Sequence, residues 1–392
     1  MSESRVSPQS SPSGQPGPSS EPGRPRRTAL DTLHRALGAT MTDFAGWDMP
    51  LRYASEREEH QAVRTRAGLF DLSHMGEITV TGSGAGEALD YALVGHLSAL
   101  KAGRARYTMI CAPDGGILDD LIVYRLAEQE YLIVANASNA QTVLDAVTER
   151  AAGFDASVTD DRDAYALLAV QGPRSSAVLA SLTDADLDGL KYYAGLPGTV
   201  AGVPALIART GYTGEDGFEL FVAPGDAEPL WQALSAAGAE AGLVPCGLSC
   251  RDTLRLEAGM PLYGHELSAG VTPFDAGLGR VVKFDKPGDF VGRDALAVAA
   301  EKAAAAPPRR LVGLIAEGRR VPRAGYPVTD AAGTVIGAVT SGAPSPTLGV
   351  PIAMAYVDAP HAEPGPAGVA VDIRGTREPY RVVALPFYQR ER

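Results

Sequence analysis

Residues 115–138 read GGILDDLIVYRLAEQEYLIVANAS: two runs rich in β-branched and aromatic residues flank a short polar Ala-Glu-Gln-Glu turn. That pattern predicts a β-hairpin. Its entrance is unusual, because two glycines deliver Asp119 and Asp120 side by side into an apolar strand. Neighbouring side chains of an extended chain leave on opposite faces, so the pair cannot hold one substrate between them. A two-carboxylate glycosidase scheme therefore needs a third, distant acid. Three readings stay open: one Asp faces a pocket while the other faces solvent, one caps the glycine turn, or both are ordinary turn chemistry.

Outward from the hairpin, TALDTLHRAL (28–37), GEALDYALVGHL (86–97), NAQTVLDAVTERA (139–151) and GLSCRDTLRLEAGM (247–260) carry helical spacing. GEITVTG (76–82), AYALLAVQGP (164–173) and PALIARTGYTGEDGFELFVAP (204–224) read as strands with turns. These elements mix without a regular βαβ rhythm, which argues for an α+β fold. An alanine-rich helix (295–306) runs into Pro307–Pro308, a domain linker, and the short strands after it suggest a β-barrel or sandwich. Glycines at 82, 84 and 86 beside a strand and a helix invite a dinucleotide reading. The third glycine, however, falls one place early, with Glu87 where it should be, and no acidic residue follows at the required distance.

A chain of 392 residues predicts two or three domains, and 45% hydrophobic with 21% charged content suits a globular protein with a sizeable core. The net charge of −12 argues against general binding to nucleic acid or an anionic membrane, and no apolar run reaches a membrane span. Cys111, Cys246 and Cys250 form no metal-binding spacing, which predicts neither zinc nor disulfide and fits a reducing, cytoplasmic setting. Residues 1–27 are mostly Ser, Pro and Gly; they predict a disordered tail rather than a targeting segment.

Three further stretches combine unusual chemistry. DFAGWDMPLRY (43–53) and GLFDLSHMGE (68–77) set Trp47, Tyr53, Phe70, His74 and Met75 among glycines. Glu219 lies inside an apolar strand, pointing either outward or toward a hydrogen-bonding ligand. Arg251 sits in the first turn of a helix, where cations are disfavoured, with Arg255 one turn later. A ligand carboxylate would account for Arg251, and so would a salt bridge.

These blocks together, with ARTGYTGEDGFEL (208–220), LSCRDTLRLEAGMPLYGHEL (248–267) and SPTLG (345–349), resemble the glycine cleavage system T proteins, tetrahydrofolate-dependent aminomethyltransferases. The resemblance runs from Thr28 to the C-terminus. It implies three domains around a central folate site: 28–78 with 161–267, then 79–160, then a C-terminal β-barrel domain with its linker at 268–392. It places the catalytic acid at Asp120, with Asp119 as a structural neighbour. Folate contacts fall on Tyr107, Asn136, Tyr192, Tyr212, Glu219, Arg251 and Tyr388, with Glu219 at the pterin edge and Arg251 at the glutamate tail. The implied donor is the aminomethyl group on the lipoyl arm of H protein, the products include ammonia and methylenetetrahydrofolate, and no metal is required. Two relatives of this architecture give rival readings. One is a folate-dependent demethylase of the sarcosine or dimethylglycine type, which usually carries a flavin domain. The other is a folate-binding iron–sulfur assembly protein, whose signature cysteine is missing from EAGMPLYGHEL here.

Overall fold

The computed structural model describes residues 24–305, 309–365 and 368–391. Most of the expected tail, residues 1–23, and the Pro307–Pro308 linker lie outside the described residues. Structure is already present upstream of the expected Thr28: Arg26–Arg27 pairs in parallel with Trp47 and Asp48, and the Arg26 guanidinium sits 4.1 Å from the Trp47 ring centre.

The expected hairpin forms, with Ile117–Ala127 antiparallel to Glu130–Ala135. It lies inside a five-stranded sheet whose order is Arg104–Cys111, Ile117–Ala127, Glu130–Ala135, Gly76–Thr81, Ser157–Asp160. Both faces of this sheet are covered. Leu121, Val123 and Ile133 pack beneath the helices Ala85–Ala92 and Ala140–Ala151, against Leu89, Val143 and Val147. Ile122, Tyr124, Leu132 and Val134 pack the other way, onto Phe70, Leu167, Ala169 and Phe221 of a second sheet. The alternation thus sends Asp119 toward the helices and Asp120 toward the second sheet.

That second sheet has six strands in the order Gly195–Val200, Val203–Ala208, Gly217–Val222, Ala166–Gln171, Ala67–Asp71, Leu243–Pro245. Its outer face is closed by the helices Ser175–Ala180 and Ala227–Gly238, whose Leu179, Leu230, Trp231 and Leu234 join its core. The mixture of mostly antiparallel sheets and flanking helices is the expected α+β arrangement. The C-terminal strands, left open between barrel and sandwich, close as a six-stranded barrel beginning at Arg309. The preceding segment packs on the five-stranded sheet instead: Val282, Phe290 and Leu296 meet Val94, Met109 and Ile117. The strand Gly76–Thr81 belongs wholly to the five-stranded sheet, so the division set at 78/79 cuts through a strand.

The glycine cluster has a packing explanation. Gly82 has φ +127°, and a Cβ there would lie 2.3 Å from the Asp155 carbonyl oxygen; at Gly84 a Cβ would meet the Asp155 backbone at 2.9 Å. Close approach of two backbone segments demands these residues.

One polar joint ties the barrel to the rest. Glu257, at the end of the helix Leu248–Glu257, accepts from Arg64 at 2.9 Å, from the Thr347 N–H at 3.0 Å and from the hydroxyls of Ser345 and Thr347, with His60 Nε2 at 3.0 Å. The SPTLG segment is therefore the barrel's docking loop. Burial pushes the Glu257 carboxyl up, but the hydrogen bond and charge of His60, with Ser345 and Arg64, outweigh it and hold the group at about 2. A fall from the usual 4.5 to about 2 corresponds to roughly 3 kcal/mol at about 1.4 kcal/mol per pH unit. Because this acid's folded value is depressed, its contribution is present above about 4.5 and is lost as pH falls toward 2. Glu257→Gln is therefore expected to lower the calorimetric melting temperature at pH 7, with the gap from the parent narrowing steadily below pH 5. A gap independent of pH would contradict the assignment.

Candidate active site

Asp120 points from the hairpin strand into the space between the two sheets. Its carboxylate accepts from the Tyr107 hydroxyl at 2.9 Å and from Asn136 Nδ2 at 2.9 Å. Tyr107 comes from the neighbouring strand and Asn136 from the end of the strand on the other side, so sheet pairing alone brings the three together. Burial pushes Asp120 up to about 6, while the bonds from Tyr107 and Asn136 pull it back. Burial and the Asp120 charge push the Tyr107 phenol well above its ordinary range, so it remains a donor. Both donors to Asp120 are neutral, and no ion pair to it occurs among the described residues.

Asp119 neither faces solvent nor caps the glycine turn, as was left open. It is fully buried, and it accepts from the Asn136 N–H at 2.9 Å, Asn136 Nδ2 at 2.9 Å and Asn139 Nδ2 at 2.7 Å. Burial first, then the Asp120 charge, push it up to about 7.

Across the gap, Glu219 points inward. It sits between Ala169 and Ala208 in its sheet and accepts at Oε2 from the Thr210 hydroxyl and, at 3.4 Å, from Tyr124. Tyr124 also bonds Thr210 at 2.8 Å, linking the two sheets through polar atoms inside an apolar contact. Oε1 has no protein partner among the described residues. Burial raises the Glu219 value, opposed by the Thr210 bond and the Arg251 charge.

Arg251 and Arg255 share a helix face and differ in every other respect. Arg255 is 1% exposed and bonded to Glu266 at 3.0 Å, Asp252 at 2.8 Å and Ser341 at 2.8 Å. The Arg251 side chain has no hydrogen bond or ion pair among the described residues; its guanidinium lies 4.9 Å from the centre of the Tyr212 ring. Burial pulls its value down, and Glu219 opposes that. The salt-bridge explanation of Arg251 is thereby removed. The helix start that carries this cation is balanced by Glu59, which accepts from the Gly247 N–H at 2.8 Å.

Tyr212 donates to the Pro261 carbonyl, and Tyr192, 44% exposed, stacks edge-on against Tyr193 with ring centres 4.7 Å apart. Tyr107, Asn136 and Asp120 thus form one bonded group; Arg251 lies over the Tyr212 ring without a bond to it, and Glu219 acts on Arg251 only through its charge. The interactions of Tyr388 run elsewhere: its N–H donates to the Glu257 carbonyl at 2.8 Å, and its ring carries the Arg64 guanidinium at 4.1 Å.

Of the aromatic candidates, Trp47 and Phe70 are core residues and Tyr53 bonds His34 at 2.8 Å. His74 is buried edge-on to Phe44, with Nδ1 unpartnered; burial and the Arg251 charge hold it near 4. Sequence reasoning missed Tyr124, Thr210 and Asn139. Thr210 lay within a quoted motif, but the roles of Tyr124 and Asn139 arise only from strand neighbours. It also missed that Glu59, Cys246 and Cys250 gather with their ligand atoms within 4.8 Å of one another. That cluster does not suit a metal: three backbone N–H groups already occupy the Glu59 carboxylate, and burial pushes the Cys250 thiol well up.

Residues 30–286 match the model of the GCVT N-terminal domain, and residues 309–389 match the glycine cleavage T-protein C-terminal barrel domain. The chain belongs to the glycine cleavage T-protein family. It is 80% identical over 368 residues to the aminomethyltransferase of Streptomyces avermitilis, covering 94% of this chain and 99% of that one. The Bacillus subtilis aminomethyltransferase is 45% identical over 366 residues, covering 93% and 99%. Among solved structures, the glycine cleavage system aminomethyltransferase T from Bartonella henselae superposes with a TM-score of 0.86 at 39% identity, covering 93% of this chain and 98% of that one. No helix of the described residues in this T-protein family member is long and apolar enough to cross a membrane.

The two arginines generate a stability test. Arg255→Ala strands Glu266 as a buried, unpaired charge and is expected to cost about 3–5 kcal/mol. Arg251→Ala forfeits only a ring contact, less than about 1 kcal/mol. Thermal melting of both variants checks this; equal losses would mean that Arg251 has a structural partner.

Proposed function

We propose that this aminomethyltransferase moves a one-carbon unit from the aminomethyl-loaded lipoyl arm of H protein to tetrahydrofolate, with release of ammonia, and that Asp120 is its catalytic carboxylate. The observation that carries the reading is a half-buried carboxylate held by two neutral donors, together with a guanidinium that lies over a tyrosine ring and has no ion pair among the described residues. Neither charge has an ion-pair partner among the described residues, and the proposed reactants supply both.

The residues fit a folate by donor chemistry. Glu219 keeps a free acceptor oxygen suited to the paired N–H donors of an amino-pyrimidine edge, and Arg251 offers a fork for a carboxylate. Tyr212 holds the Arg251 guanidinium in place by its ring, and Tyr192 offers a flat surface at the rim. Tetrahydrofolate, when bound, supplies the nitrogen nucleophiles that accept the carbon.

Asp120 handles charge. Expulsion of ammonia builds positive charge on the transferred carbon and on the departing amine, and a fixed carboxylate stabilises both. Burial raises its effect, because the site is drier than water and its dipoles are set before reaction. Tyr107 and Asn136 hold the oxygens so that reorientation costs little at the moment of transfer. A value of about 6 keeps Asp120 ionised at neutral pH and still able to hold a proton during turnover. Three free, buried cysteines suit the cytoplasmic setting proposed for the reaction. The names of its relatives give no support to the demethylase or iron–sulfur readings.

The test mixes purified protein with aminomethyl-loaded H protein and tetrahydrofolate and scores ammonia. Asp120→Asn is expected to lower kcat by roughly 100-fold with little change in folate KM. The parent kcat should fall as pH drops through about 6, because protonation removes the charge that does the work. Arg251→Ala is expected to weaken folate binding by about 1.5–3 kcal/mol while sparing kcat. A fully active Asp120→Asn enzyme would overturn the reading.

A further inference from the structure

Asp119 has no place in the reaction as described, yet it is the more completely held of the two aspartates. Its Oδ2 takes the Asn136 N–H and its Oδ1 takes Asn136 Nδ2, each at 2.9 Å, so it grips that residue by backbone and side chain together. The same Nδ2 reaches Asp120 Oδ1 at 2.9 Å. Asn139, which precedes the helix Ala140–Ala151, braces Asp119 from behind at 2.7 Å. The connections form one line from the helix start to the reactive carboxylate: Asn139, Asp119, Asn136, Asp120.

We propose that Asp119 is a positioning residue for the transfer reaction, acting through the Asn136 amide to orient the Asp120 carboxylate. This rests on the reading of Asp120 as the catalytic group. A carboxylate is an acceptor only, so it fixes which end of the Asn136 amide faces it and thereby aims the N–H pair at Asp120. A neutral amide at position 119 breaks that rule, because its own NH2 must turn toward one of the donors. Asp119 also supplies a second negative charge behind the site. The titratable groups facing the pair are tyrosines: Tyr107 on the adjacent strand, with Tyr193, Tyr212 and Tyr263 from other elements. All are neutral near pH 7. The ionisation steps of the pair near neutrality, about 6 and about 7, therefore belong to Asp120 and Asp119 together.

The experiment is steady-state ammonia release with saturating H protein, run on Asp119→Asn, Asn139→Ala and Asp120→Asn across pH 5–9, with melting temperatures measured alongside. Asp119→Asn is expected to lose about tenfold or more in kcat at pH 8 with folate KM within twofold of the parent. With one carboxyl of the pair removed, its kcat profile should show a single inflection in place of the two near 6 and 7. A purely structural role would lower the melting temperature and leave the profile intact. Parent-like kcat, a matching rise in KM, or an unchanged profile each overturns the proposal. If Asp119→Asn does not fold, Asn139→Ala decides alone, since it keeps the charge and removes one brace: a threefold or larger loss of kcat at constant KM supports the role, and parent kcat refutes it. Asp120→Asn separates the two levels. If it stays active, the reading of the catalytic group has failed; if it is inactive while Asp119→Asn is normal, only the positioning role has failed.

Discussion

The hairpin strand Ile117–Ala127 is buried on both faces, and the site follows from that constraint. A strand covered on one side already resists a slipped register, because a one-residue slip turns its apolar set to solvent. Here a shift of one residue would push Leu121 and Val123 into the space between the sheets and pull Tyr124 away from Thr210. Two different apolar surfaces therefore pin the register, and the register decides which aspartate meets the gap. The direction of the Asp120 carboxylate is set by hydrophobic contacts several residues downstream of it.

The same gap is lined by charges that the protein leaves unbalanced. Arg255, Glu266, Arg64, Glu215 and Glu257 show that this chain pairs its buried ions closely. Asp120, with neutral donors, and the Arg251 side chain, over an aromatic ring, have no such ion pair among the described residues. A buried ion without a partner is costly to the folded state. On the proposed reading, a cationic carbon and an anionic tail would supply the missing charges.

Much of this was legible from sequence where the signal is local. Alternation marked the hairpin, helical spacing marked the Leu248–Glu257 helix, and the misplacement of Arg251 in its first turn was visible as a conflict with the helix dipole. Local pattern left barrel and sandwich open, since closure depends on pairing between Arg309–Ala316 and Thr376–Val383, far apart in the chain; only the resemblance pointed to the barrel. Position 119 shows the same limit at the scale of one residue. Parity correctly separated it from Asp120, but its burial depends on Asn136 and Asn139, which arrive from the next strand and the helix after it. Tyr388 sits in the motif-bearing C-terminal segment, yet its neighbours are the joint residues Arg64 and Glu257.

That joint bears on how far the chain is modular. Its sequence divides neatly into an N-terminal portion ending at 286 and a barrel starting at 309, as if two parts had been joined by a helix. Glu257 does not respect the division. Ser345 and Thr347 supply hydrogen bonds from the barrel, while His60 and Arg64 supply theirs from the other portion. Severed from the barrel, the first portion would expose half-solvated a carboxylate designed for full enclosure, along with the apolar patch around Leu256 that meets Ile352 and Met354. A different barrel would have to present hydroxyls at the places of Ser345 and Thr347 to keep Glu257 enclosed, so the two portions are matched residue by residue.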